Sequence, residues 1–173
     1  MEEVTIDYVT YISAPPDRVW QALIRPEYTK LYFFGRAVES DWRIGSPFVL
    51  RMEDGRIDSK GRVVRCDPQR VLEVTWHVEW LEEFRHLPEV NVRFTIEPLG
   101  DVVRLTVSQM HLKPVDEKLV EAGHYGWPLV ICGLKTLLET GHPMPVIELP
   151  PAEAIPGTAS QVHTGRGHFV YGG

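Results

Sequence analysis

Only two cysteines occur in the 173 residues, Cys66 and Cys132, far apart and in no C-x-x-C pair. The chain therefore has no disulfide framework to lean on, and reduced thiols in a cytosolic setting are expected. Basic residues are also scarce: 18 lysines and arginines against 24 acidic residues leave a net charge of −6, without a basic stripe to follow a phosphate backbone. No nucleic-acid partner is expected. No apolar run reaches the ~20 residues of a membrane span, so no membrane-spanning segment is expected. The opening MEEVTIDYVTYIS is acidic and alternating, unlike the basic and then apolar start of a secretory signal. A soluble, cytoplasmic protein follows as the expectation. Missing as well are G-x-S-x-G, H-E-x-x-H, G-x-x-x-x-G-K-[ST] and G-x-G-x-x-G, the common signatures of activated serine, zinc, phosphate and dinucleotide sites. Neither a cofactor nor a metal is expected.

What is present is periodicity. A chain of this length can bury about 68–70% of its unfolded surface as one domain, and its patterns divide it cleanly. Residues 4–13 alternate Val4, Ile6 and Tyr8 against Thr5, Asp7 and Thr10, which predicts a half-buried strand. Pro15, Pro16 and Asp17 then suit the first turn of a helix running to Ile24. Arg25-Pro26 breaks it, and residues 27–34 form a second short helix closed by Gly35. Residues 36–40, 47–52, 59–66 and 71–80 read as strands separated by Gly45, Asp54-Gly55 and Asp67-Pro68, and residues 90–97 and 103–109 complete the series. In the clearest strand Leu72, Val74, Trp76, Val78 and Trp80 face one way, with Glu73, Thr75, His77 and Glu79 facing solvent. Sequential strands joined by short turns make an antiparallel sheet with one covered face.

The cover must be the helix that contains Trp127, Val130, Ile131, Leu134, Leu137 and Leu138, which keep the i, i+3, i+4, i+7 spacing up to a stop at Gly141. Pro128 belongs in a first turn, where its missing N–H costs nothing, so the helix is expected to begin between Gly123 and Trp127, with residues 116–122 a separate turn or short helix; a continuous kinked helix is the alternative. The result is an α+β domain over residues 1–141. Residues 142–173 are dense in proline and glycine and nearly uncharged, a tail whose apolar members (Met144, Val146, Ile147, Leu149, Phe169, Val170, Tyr171) would pack on the domain or on a second subunit as a homodimer.

The opening Ala14-Pro15-Pro16-Asp17-Arg18-Val19-Trp20-Gln21-Ala22-Leu23, the Asp67-Pro68…Leu72…Thr75-Trp76 strand and the run Gly126-Trp127-Pro128-Leu129-Val130…Gly133-Leu134-Lys135-Thr136-Leu137-Leu138-Glu139-Thr140-Gly141 resemble the START-like superfamily. The nearest branch is the bacterial homologues of the activator of the heat-shock-protein-90 ATPase, over roughly residues 4–141. That resemblance implies a helix-grip fold, in which a curved antiparallel sheet grips a long C-terminal helix around a hydrophobic, lipid-type cavity. It also implies a chaperone as an alternative partner.

The residues add a location. Gly126 and Gly133, seven apart, share the side of the helix that carries Val130 and Leu137 and would leave volume against the sheet. Gln109 stands where the strand pattern calls for an apolar residue, as a hydrogen-bonding group inside the cavity or as a buried amide satisfied by backbone or by His124. With Tyr32, Phe34, Trp42, Phe48, Trp76, Phe94, His124 and Trp127 these form the expected cavity lining, and the Tyr32-Phe33-Phe34 run is expected to act as a lid. His77, Glu79, Glu82, Glu83 and His86 make the densest polar cluster and read as a solvated face. Three functions stay open: a noncatalytic binder of a small hydrophobic or amphipathic ligand, a co-chaperone, and an enzyme of cyclase or hydratase type drawing on Gln109, His124, Tyr8 or Tyr32.

Overall fold

The computed structural model describes residues 2–145. Seven strands form one antiparallel sheet: β1 (Glu3–Ile12), β2 (Ala37–Glu39), β3 (Pro47–Arg51), β4 (Ile57–Asp67), β5 (Val71–Val78), β6 (Val90–Leu99) and β7 (Val102–Leu112), in the order β1-β7-β6-β5-β4-β3-β2. β1 and β7 pair along their full lengths, from Glu3 opposite Leu112 to Ile12 opposite Val103. β1 and β2 thus become opposite edges, and the chain between them must cross the sheet. It does so as α1 (Pro16–Ile24) and α2 (Pro26–Tyr32), each with proline in its first turn in place of a side-chain cap. α3 (Glu117–Thr140) fills the concave face, which makes this an α+β helix-grip fold.

Alternation along β7 sets the core. Val103, Leu105, Val107, Gln109 and His111 all point inward and are almost fully buried, facing the α3 stripe of Leu119, Trp127, Val130, Ile131, Leu134, Leu137 and Leu138. Glu73, expected in solvent, is buried instead, because Arg93 Nε (2.8 Å) and Asn91 Nδ2 (3.1 Å) on the neighbouring strand donate to its carboxylate.

α3 does not break where its proline suggested. It starts at Glu117, where the carboxylate of Asp116 accepts from the Lys118 N–H at 2.9 Å, and runs through Pro128 to Gly141, whose positive φ of 75° lets its N–H close on the Leu137 carbonyl. Proline deprives the His124 carbonyl of its partner, but His124 and Pro128 are both exposed on the outer face, which leaves the freed group open to solvent. Burial of Leu119 and Gly123 from the first turns outweighs the local penalty. Pro128→Ala is accordingly expected to raise stability by about 1–3 kcal/mol, read as a higher urea midpoint with unchanged slope.

α2 ends two residues earlier than expected, at Tyr32, because Phe33 and Phe34 leave helical geometry; Phe34 takes φ 49° and Gly35 φ 74°. Met144 and Pro145 border a shallow hollow with Leu31, Leu129 and Gly133. The remaining tail expectations, packing and a tail-mediated homodimer, fall on residues 146–173, outside the described residues.

Candidate functional site

Between α3 and the wide half of the sheet lies a cavity of about 140 Å³. Its floor is Trp76 and Val78 of β5, Val90 and Val92 of β6 and Gln109 of β7; its roof is the α3 face carrying Leu119, Ala122, Gly123, Gly126, Trp127 and Val130. Phe33 and Phe34 close one side, with Trp80, Leu81 and Phe84 from the turn after β5, and Asp58 and Ser59 of β4 supply a polar corner. Two small residues on one helical face, Ala122 and Gly126, keep this space from being filled.

An aromatic cluster shapes the walls. Phe33 stacks on Trp76 with ring centroids 5.9 Å apart, and Trp127 meets Phe33, Trp76 and Phe94 edge to face at 5.9, 5.5 and 5.9 Å. Trp76 is only partly buried although it sits at the centre of that cluster, since one side of its ring faces the cavity.

The polar groups are few and each is oriented. Trp127 Nε1 donates to Gln109 Oε1 at 2.9 Å, and Gln109 Nε2 donates to the Leu119 carbonyl at 3.2 Å. An indole N–H can only donate and a backbone carbonyl can only accept, so the two partners fix which end of the amide is oxygen. At the polar corner Arg36 Nε binds Asp58 Oδ2 at 2.8 Å, Ser59 Oγ donates to Asp58 Oδ1 at 2.8 Å, and the Arg36 guanidinium lies 6.0 Å from the Trp80 ring centroid. Arg36 also donates to the Phe34 carbonyl and so ties the aromatic turn to this corner.

Of the twelve residues singled out in the sequence, Phe34, Trp76, Gln109, Gly126, Trp127 and Val130 line the cavity. The other six lie elsewhere. Tyr32, Trp42, Phe48 and Phe94 pack in the adjoining core, where the Tyr32 hydroxyl donates to the Ala22 carbonyl at 2.7 Å and the Trp42 indole to that of Ile24 at 3.1 Å. Burial pushes the Tyr32 phenol far above its ordinary pKa, so it acts as a fixed donor. His124 projects away from the cavity to meet the Tyr8 hydroxyl through Nδ1 at 3.1 Å, and so does not satisfy Gln109. Gly133 makes no space: a Cβ there would stand 3.3 Å from the Tyr32 carbonyl oxygen, so it allows α2 to approach α3. Tyr32, the first residue of the expected lid, belongs to that same packing, and only Phe33 and Phe34 of its run reach the cavity.

The sequence reading missed Gly123, Trp80, Asp58 and Ser59 as cavity residues. A Cβ on Gly123 would lie 2.3 Å from Gln109 Oε1 and 3.0 Å from the Tyr8 hydroxyl, so glycine here is what permits the buried amide. The spacing Gly123, Gly126, Val130 (i, i+3, i+7) was the available signal.

Outside the cavity, Glu79 accepts from Lys60 Nζ at 2.7 Å and His77 Nδ1 at 3.0 Å, and these bonds, Lys60 first, hold its carboxyl below the usual range. Among the described residues no group of three His, Cys, Asp or Glu side chains is placed to hold a metal. His111 is 2% exposed with no partner for Nε2 among the described residues, and burial holds its pKa below the ordinary histidine value, Asp116 pulling the other way. The unfolded chain therefore takes up a proton near pH 6.5 that the native state resists, so stability is complete above that pH and falls as pH drops below it, by at most about 1.4 kcal/mol per unit for one group. Urea midpoints from pH 8 to 5.5 should show this decline, and His111→Gln should flatten it.

Residues 13–139 match the family described as Activator of Hsp90 ATPase homolog 1-like protein. No curated protein sequence matches the chain. Among solved structures the chain resembles protein MLL2253 of Mesorhizobium loti (23% identity, 79% of this chain and 97% of that one, TM-score 0.67). It also resembles CalU16 of Micromonospora echinospora (24%, 82% and 77%, TM-score 0.64) and the Aha1 dimer of Colwellia psychrerythraea (17%, 80% and 98%, TM-score 0.63). At these identities the structures establish the helix-grip fold, whereas the family match spans most of the chain. The sheet, the gripping helix and that match together make this chain a member of the Activator of Hsp90 ATPase homolog 1-like protein family.

Proposed function

We propose that the protein is a noncatalytic, cytoplasmic binder of a small hydrophobic or amphipathic molecule, held between the sheet and α3. One observation carries the reading: a cavity of about 140 Å³ walled by Phe33, Trp76 and Trp127 around a single oriented amide, Gln109. Space left beside large aromatic side chains costs stability, because those faces lose dispersion contacts that a filled core would supply. A ligand restores them. Asp58 at the cavity's polar corner is already paired with Arg36 behind it, and the Gln109 amide is bonded at both ends, an arrangement suited to orienting a guest more than to moving protons. Titration with a panel of single-ring aromatics, lipids, flavonoids and polyketides, followed by intrinsic tryptophan fluorescence, tests this: one-to-one saturation by a panel member is expected, and no saturable ligand in the panel would sink it.

A second reading rests on the family description, which names an activator of the Hsp90 ATPase. In that reading the domain contacts a chaperone, in the cell's response to stress. Stimulation of the chaperone's ATPase by the purified chain, unaffected by cavity substitutions, would favour it over ligand binding.

A further inference from the structure

We infer that the ligand is a neutral, single-ring aromatic molecule carrying a hydrogen-bond acceptor such as a carbonyl oxygen, with Gln109 as the residue that selects for that acceptor. The inference rests on the proposed ligand-binding role and narrows it through three observations.

Size comes first. Apolar cavities of about 150 Å³ accept benzene, and drug-sized ligands need about 300–1,000 Å³. At about 140 Å³ this cavity holds one ring and a short substituent. Shape comes second. Its walls are aromatic faces and edges, Phe33 stacked on Trp76 and Trp127 edge-on to both, an arrangement a third planar ring extends at ordinary stacking distances.

Polarity comes third. The amide nitrogen of Gln109 has two N–H groups, and among the described residues its one partner is the Leu119 carbonyl. Gln109 is 5% exposed and lines the cavity, so the second N–H is a buried donor available to a guest. Its orientation is locked by Trp127, since rotating the amide would set its NH2 against the indole N–H. A ligand acceptor there satisfies a donor that is otherwise short of a partner. Charge is disfavoured at the same time: Asp58 and Arg36 neutralise each other, leaving an entering carboxylate to surrender its hydration with no unpaired cation among the described lining residues to receive it.

Calorimetric titration of the full chain with four probes tests the inference: acetophenone, ethylbenzene, benzoate and 2-acetonaphthone. Acetophenone should bind about three- to tenfold tighter than ethylbenzene, the worth of one neutral hydrogen bond, while benzoate and the bicyclic ketone give no measurable heat. Gln109→Leu should bring the two single-ring affinities within twofold of each other, and the comparison in the unsubstituted protein decides the matter if that variant does not fold. Equal affinity for ethylbenzene and acetophenone, tight benzoate, or a preference for the bicyclic ketone would overturn the inference and leave the broader ligand-binding role standing. Failure of all four probes together with the whole fluorescence panel would overturn that role itself; failure of the four with saturation by a panel member would overturn the inference alone.

Discussion

Trp127→Ala is expected to destabilise the fold by about 3–5 kcal/mol, the largest loss of any substitution at the cavity. The indole is 6% exposed and touches three aromatic rings, so its removal deletes packing from both the cavity wall and the adjoining core. It also strips Gln109 Oε1 of its donor, although the space opened lets water take part of that role. For a domain of this size the change corresponds to a fall in Tm on the order of 10 °C. Trp127→Phe keeps a ring and loses the N–H, so its cost should be roughly half or less. Calorimetric unfolding of the two variants beside the parent measures both, and a Trp127→Ala loss below about 1 kcal/mol would mean the aromatic wall contributes little to the fold.

Gly123→Ala should be the next most damaging, and the same substitution one turn later should help. Alanine is favoured over glycine in a helix by about 1 kcal/mol, so propensity alone stabilises both. At Gly126 nothing lies within 4 Å of the new methyl group, and that gain should survive almost intact. At Gly123 the methyl would sit 2.3 Å from Gln109 Oε1. The amide must move and give up its bonds to Trp127 and Leu119, and an overpacked buried site with unpaired polar groups costs about 2–4 kcal/mol, which outweighs the propensity term. Opposite signs for the two alanines, measured by urea unfolding, are the expected result. Equal signs would show that the Gln109 position is not fixed by Gly123.

The same contrast shows which parts of the molecule the sequence makes legible. Period-two alternation located the strands, and i, i+3, i+4 spacing located the gripping helix, because both report which side of an element is buried. They do not report what stands opposite. Gly126 and Gly133 share a helical face, yet one opens on the cavity and the other backs onto Tyr32, a difference made by where α2 crosses α3. His124 follows Gly123 in the chain but turns about 100° away around the helix, which takes it out to Tyr8 while Gly123 lies against Gln109. The start of α3 was misplaced for a related reason: a proline penalty of about 3 kcal/mol is a local quantity, and the burial that overrides it belongs to the whole sheet. Asp58 and Ser59 gave no local signal, since their importance comes from Arg36, 22 residues earlier. Gln109 was legible because a polar residue on the inward side of a regular strand violates the pattern around it.

The most direct test of a ligand cavity between sheet and α3 follows the five tryptophan indole N–H signals by nitrogen-15 NMR during titration with acetophenone. Trp76, Trp80 and Trp127 border the cavity, whereas Trp20 lies on the buried face of α1 and is absent from its walls. Saturable one-to-one shifts of the Trp76 and Trp127 signals, with Trp20 unmoved, are the predicted result. Signals that stay in place at millimolar acetophenone and with every member of the fluorescence panel, or that drift together without saturating, would contradict the account.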